Sequence, residues 1–253
     1  MAERTEYAPG TFCWADLATT DTLGAVAFYS ELFGWEPHEV PDSDGYTLMR
    51  MEGADVCAIH AAPPGTRALP AWRSWVSVED AAATAARAAE LGGAVVREAA
   101  DVIGLGRSAV LADPQGAVVG VWQPGAFAGA ALVNEVGAMV LNQLNTHDPE
   151  AAGVFYADLF GWEVSMVVAE PAPYWGVTNG GRLNGGVMRL EPPAPPHWLV
   201  YFTSEDLDGS DALIVDMGGA VVVPPMDVPG GRVLVAHDPG YAFFALLEGR
   251  VDP

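Results

Sequence analysis

Apolar positions along this chain follow first a strand period and then a helix period, and the order of the periods is itself repeated. Phe12–Ala18 is a short apolar-rich run of strand length. After Thr20 and Asp21, either of which can cap a helix, Leu23, Val26, Ala27, Leu32 and Phe33 recur at helical spacing until Gly34 stops the run. Trp35–Val40, Tyr46–Met51 and Val56–His60 read as strands, punctuated by residues 41–45 and by Gly53. Past a loop at Pro63-Pro64-Gly65 the order returns: strand Trp72–Val78, an alanine-rich helix over Ala81–Leu91, a Gly92-Gly93 stop and three short strands ending at Trp122. Two βαβββ units are predicted, each with a helical crossover followed by hairpins.

The whole arrangement then occurs a second time. Ala27–Glu36 recurs as Val154–Glu163, identical at seven of ten positions with an offset of 127 residues. Residues 18–21 answer to 145–148, Trp72 and Glu79-Asp80 to Trp198 and Glu205-Asp206, and Asp113-Pro114 to Asp238-Pro239. Two related domains are therefore expected, residues 1–123 and 136–253, with 124–135 as the linker and its Gly/Ala-rich part at 124–131.

Charge narrows what such domains can do. Thirty-three acidic side chains face 11 cationic ones, every one of them arginine, for a formal charge of −22. Without lysine there is no Schiff-base amine and no phosphate-loop ammonium, and without a cationic stripe there is no nucleic-acid surface. No apolar run reaches the length of a membrane span and residues 1–10 lack the order of a secretory signal, so a cytoplasmic protein is expected. Cys13 and Cys57 are too few for a disulfide framework and read as small buried hydrophobes.

The pattern D-x₆-FY-x₂-LFGW, met here as Asp21, Phe28-Tyr29 and Leu32–Trp35, is followed by the Trp72, Glu79-Asp80, Gly92-Gly93 and Asp113-Pro114 signals. Together they resemble the glyoxalase/bleomycin-resistance/extradiol-dioxygenase superfamily, the vicinal oxygen chelate proteins, and in particular actinobacterial members with two glyoxalase-like domains. The resemblance spans about residues 11–123 and 137–248. It implies an α+β fold in which each pair of βαβββ units curves into a cup-shaped eight-stranded mixed sheet with its ligand on the concave face. In many members that ligand is a divalent metal held by His, Glu or Gln on the first, fourth, fifth and eighth strands. The matching positions here are Trp14, Ala58, Arg73 and Gly120 in one half, and Leu141, Gly186, Leu199 and Ala245 in the other. None of these eight is an ordinary metal ligand, so no cofactor is expected. A metal could enter only through displaced groups such as His60, Asp16, His197 or Gln143.

Alternation along strands assigns the rest of each concave face. The first cup would carry Phe12, Trp14, Asp16, Val56, His60, Arg73, Trp75 and Trp122; the second, Leu141, Gln143, Asn145, Asn184, Met188, His197, Leu199, Tyr201 and Thr203. Trp14, Trp75 and Trp122 either fill a core or stack on a planar ligand. His60 either ends a strand in solvent or moves a proton, and Asp16 and Arg73 either pair with each other or meet a ligand. Gln143, Asn184, His197 and Tyr201 are the candidates for binding in the second cup.

Two functions follow. The leading expectation is metal-independent binding of an aromatic or hydrophobic small molecule, for sequestration or carriage. The alternative is an enzyme, an isomerase, cyclase or lyase, glyoxalase-like or so-called hydroxylase, acting on a polyketide-like or aldehyde-derived substrate, with His60 moving a proton, Asp16 as its partner and Arg73 stabilising an enolate. Fused domains supply two cups in one chain, so a monomer suffices and a dimer is an option.

Overall fold

Four aspartates open the four helices of the described residues. Asp21, Asp80, Asp148 and Asp206 each accept backbone N–H groups of the first turn, starting α1 (Thr22–Phe33), α2 (Ala81–Glu90), α3 (Pro149–Phe160) and α4 (Leu207–Asp216). Gly34 and Gly161, with φ of 70° and 76°, end α1 and α3 in the left-handed conformation that glycine adopts without a Cβ penalty. The computed structural model describes residues 3–249 apart from 42, 44, 64, 66–68, 103 and 171. Parts of the turns expected at 41–45 and 63–65 thus lie outside the described residues.

The strands of the first half are β1 (Phe12–Thr19), β2 (Glu36–Glu39), β3 (Thr47–Met51), β4 (Ala54–Ala61), β5 (Ala71–Ser77), β6 (Ala94–Val102), β7 (Gly106–Ala112) and β8 (Val118–Pro124). Those of the second are β9 (Met139–Thr146), β10 (Glu163–Val168), β11 (Tyr174–Asn179), β12 (Arg182–Arg189), β13 (His197–Thr203), β14 (Ala220–Val228), β15 (Gly231–His237) and β16 (Phe243–Gly249). Each half makes its own eight-stranded mixed sheet, ordered β2-β3-β4-β1-β5-β8-β7-β6 and β10-β11-β12-β9-β13-β16-β15-β14. The two sheets are the tandem cups that the repeat predicts.

Alternation splits each central strand between two environments. Ala15 and Leu17 of β1 enter a large core built from both halves, while Trp14 belongs to a separate small cluster inside the first cup. Leu199 and Tyr201 belong to a third cluster inside the second cup. The helix face shows where periodicity misleads. Leu23 is 82% exposed, and α1 instead buries Ala25, Phe28 and Tyr29, because the aromatic pair points toward the other half.

The repeated motif residues clasp the halves together. Trp35 Nε1 donates to the Gly137 carbonyl at 2.8 Å, and its repeat partner Trp162 donates to the Gly10 carbonyl at 2.7 Å. Trp72 Nε1 donates to the Tyr29 hydroxyl, and Trp198 Nε1 to the Tyr156 hydroxyl. Tyr156 in turn donates to Asp113 of the first half at 3.3 Å, while Tyr29 faces Asp238 of the second. Buried Ser74 donates to Asn142 across the same boundary at 2.6 Å.

Burial holds both Asp113 and Asp238 above the usual carboxylate range, against the backbone N–H groups they accept. A raised folded-state value means the folded protein binds these protons more tightly than the unfolded chain does. Their contribution to stability is full below the unfolded value of about 3.9 and is lost as pH rises through the raised folded value. The melting temperature of the Asp113→Asn, Asp238→Asn double variant should therefore fall less than that of the wild type as pH is raised from about 4 to 7. Parallel melting curves across that range would rule the two carboxylates out as the cause.

Candidate functional site in the first cup

Sheet register brings the first-cup residues together. Trp14 lies opposite Trp75 on β5, Trp75 lies beside Gly120 on β8, and Asp16 stands between Ala58 on β4 and Arg73 on β5. A side chain at position 120 would overlap the Trp75 indole, since an added Cβ would come within 2.2 Å of its Cε3. The absent side chain at this ligand position of the family is what lets Trp75 lie down on the sheet. Gly120→Ala should cost about 1–3 kcal/mol of stability through overpacking, read as a lower denaturant midpoint with a changed near-ultraviolet tryptophan signal. An unchanged midpoint would contradict this packing.

The three indoles are not equivalent. Trp14 Nε1 donates to the Tyr46 hydroxyl at 3.1 Å, and Trp122 Nε1 donates to the Phe127 carbonyl at 2.8 Å. Phe127, in the segment between the two sheets, sets its ring edge-on to Trp14 at 5.0 Å and against Trp122 at 6.0 Å. These two indoles are engaged by the protein itself. Trp75 differs: its buried N–H has no partner, and the guanidiniums of Arg73 and Arg97 lie 5.8 and 5.7 Å from its ring centre.

Beside this platform sits Asp16, 4% exposed, with Oδ1 buried and without a hydrogen-bond partner. Its Oδ2 lies 3.7 Å from His60 Nε2, longer than a hydrogen bond. The other imidazole nitrogen, Nδ1, is 3.0 Å from the Ala61 carbonyl, which fixes the proton there and leaves Nε2 facing the carboxylate. Tyr46 stacks on the His60 ring at 5.4 Å, its phenol pushed up first by burial and then by the Asp16 charge. Asp16 and Arg73 are neighbours across β1 and β5, yet they form no ion pair; Arg73 turns over Trp75 instead.

In the second cup the described polar side chains bond mainly to one another. Tyr201 donates to Gln143 at 2.9 Å, Gln143 to Asn145 at 2.9 Å, and Asn145 contacts His197 Nε2 at 3.3 Å, while His197 Nδ1 lies 2.9 Å from the Pro195 carbonyl. All four groups run one way, with each donor committed to the next acceptor. Gly186 has no side chain where Tyr174 places its hydroxyl, a phenol pushed up to about 12 by burial.

Three assignments by simple alternation are corrected. In β12 the pairing steps from Gly185 to Leu183, leaving Asn184 unpaired in a bulge, so its side chain turns away from the cup to meet Phe12 N and the Gly10 carbonyl of the other half. Val56 sits at the matching bulge of β4 and Phe12 beside a bulge of β1, and both enter the common core. Tyr46, Arg97 and Phe127 were not among the expected site residues. Arg97 could have been noticed as a cation within an otherwise apolar and acidic strand of a lysine-free chain. Two register shifts in β6 hide it from period-two reasoning.

A divalent metal does not fit the first cup. The family's ligand positions are taken by an indole, a methyl group and a glycine under a second indole, leaving Asp16 and His60 as two donors where three or four are required. Among the described residues, no group of three or more His, Cys, Asp or Glu side chains could hold an ion. No helix there is long and apolar enough to cross a membrane.

The comparisons with known proteins agree with this architecture. Residues 14–121 match the sequence profile of a glyoxalase-like domain. A Mycobacterium tuberculosis protein provisionally named glyoxylase CFP32 is 38% identical over 98% of both chains. The anthracycline biosynthesis protein DauV of Streptomyces sp. strain C5 is 32% identical over 97% of this chain and 96% of its own. The Mn(II)-bound glyoxalase of Novosphingobium aromaticivorans shares the fold at 16% identity, with a TM-score of 0.67 over 100% of this chain and 85% of that one. The chain thus belongs to the glyoxalase/bleomycin-resistance/extradiol-dioxygenase superfamily, as a member with two glyoxalase-like domains in tandem.

Proposed function

We propose that this protein is a metal-independent enzyme whose first cup moves a proton on an enolisable carbonyl compound, in an isomerase, cyclase or lyase step on a polyketide-like or aldehyde-derived substrate. The observation that carries this is Asp16. An ionised carboxylate with one buried oxygen unpaired costs roughly 1–3 kcal/mol or more, and a base awaiting a substrate proton is left in this condition.

In this reading the carbonyl of the substrate lies over Trp75, between the part-exposed side chains of Arg73 and His60. Asp16 takes the proton from the carbon next to the carbonyl. The C–H electron pair becomes the enolate, whose oxygen receives the guanidinium of Arg73. The proton then returns to another carbon, or a leaving group departs from the enolate, and no oxidant or reductant is consumed. His60 Nε2 relays protons between Asp16 and solvent.

Two considerations move the balance from sequestration toward catalysis. Trp14 and Trp122 already carry Tyr46 and Phe127, which leaves less free aromatic wall for a carrier. The full-length relatives bear names from glyoxylase chemistry and from a biosynthetic pathway. The test is solvent deuterium exchange at the acidic carbon of 1-phenyl-1,3-butanedione, followed by NMR in wild type and Asp16→Asn. A wild-type protein that leaves the background exchange rate unchanged across a panel of such diketones and β-ketoaldehydes defeats the reading.

A further inference from the structure

Arginines in so acidic a chain find carboxylates easily. Arg50, Arg87, Arg107, Arg189 and Arg232 each have one, at 2.6 to 3.2 Å. Arg73 and Arg97 have none among the described residues. Arg97 spends one nitrogen on Ser108 Oγ at 3.1 Å, and both guanidiniums gather on the single indole of Trp75. Bringing two like charges to one ring is unfavourable unless something negative joins them; Asp16 lies near enough to favour the charged form of Arg97 but makes an ion pair with neither guanidinium.

The two arginines also come from different places. Arg73 rises from β5 in the floor of the cup, whereas Arg97 reaches in from β6, the edge strand, and is itself an exposed residue. One guanidinium is placed to meet charge that develops deep in the site. The other is placed to meet charge already present on whatever enters from the rim. Trp75 between them offers a flat apolar face, and guanidinium is the group that matches a planar oxyanion with two parallel hydrogen bonds.

We propose that the substrate of the first cup is a planar aromatic or polyketide acid, its carboxylate held by Arg97 over Trp75 while the enolising carbonyl lies toward Arg73. This rests on the reading of Asp16 as the base, and adds to it the chemical class of the substrate. A net charge of −22 makes the surface attract cations, whereas the described part of this cup presents two guanidiniums without a carboxylate at ion-pair distance.

The experiment is calorimetric titration of the full chain with 2-naphthoate and with its neutral counterpart 2-naphthamide, in wild type, Arg97→Gln, Arg97→Lys and Asp16→Asn. Wild type should bind the carboxylate at least about tenfold more tightly than the amide, as expected for a charge-assisted pair. Arg97→Gln should abolish the preference, Arg97→Lys should keep part of it, and Asp16→Asn should keep all of it. Equal affinity for acid and amide in wild type, or a preference that survives Arg97→Gln, overturns the substrate class while leaving proton abstraction by Asp16 to its own exchange assay. Conversely, an Arg97-dependent preference in a protein whose Asp16→Asn variant exchanges deuterium at the wild-type rate keeps the acid site and removes the base.

Discussion

Asp16→Asn should slow enzyme-catalysed deuterium exchange on 1-phenyl-1,3-butanedione by about 10²–10⁴-fold, the usual contribution of a positioned general base. The substitution is nearly isosteric and removes a buried charge that has one oxygen unpaired, so stability should be unchanged or improved. Loss of exchange with a retained or raised melting temperature is the signature that separates a base from a structural residue. His60→Ala should fall between the two, because the ring faces Asp16 at 3.7 Å without bonding to it and serves only in relay. Arg73→Gln should lower the exchange rate as well, since removing one preorganised oxyanion donor typically costs about 10²–10³-fold. If Asp16→Asn exchanges as fast as wild type, the proton is taken elsewhere and the assignment fails.

How far this site could be read from the residues alone depended on strand regularity. Where β1 and β5 run without irregularity, period two placed Asp16, Trp14, Arg73 and Trp75 on one face, and register sets them side by side. Where a bulge inserts one residue, the same rule inverted the outcome, sending Phe12, Val56 and Asn184 to the interior side. A bulge leaves no compositional mark in these segments apart from the glycines at 185 and 186, so nothing local announced it. Arg97 and Phe127 join the site through tertiary placement, one across Ser108 from an irregular edge strand and the other from the segment linking the halves. The repeat made the tandem sheets legible because it is a property of the whole chain. It did not show that the repeated aromatic residues face the other half and not the cups.

That placement leads to a large expected stability effect. Trp72 is 6% exposed, donates its N–H to Tyr29, and packs edge-on against Tyr29 at 5.2 Å and against Phe202 of the second half at 5.1 Å. Trp72→Ala empties a site whose walls come from both halves and leaves the Tyr29 hydroxyl without its donor. About 3–5 kcal/mol should be lost, a fall of roughly 6–20 °C in melting temperature by calorimetry. Leu23→Ala, on the exposed side of the helix that carries Tyr29, should stay within about 0.5 kcal/mol of wild type. Because Phe33 and Trp35 of the first half share the same cluster with Phe202 and Phe244 of the second, the variant should still melt in one transition, with both halves lost together. A second transition left at the wild-type temperature would show that residues 136–253 hold their core alone. The cup chemistry would then sit on a domain able to unfold and refold independently. With a shared core, the geometry around Asp16 is held by the whole chain, and the second sheet supports the first cup by fixing it.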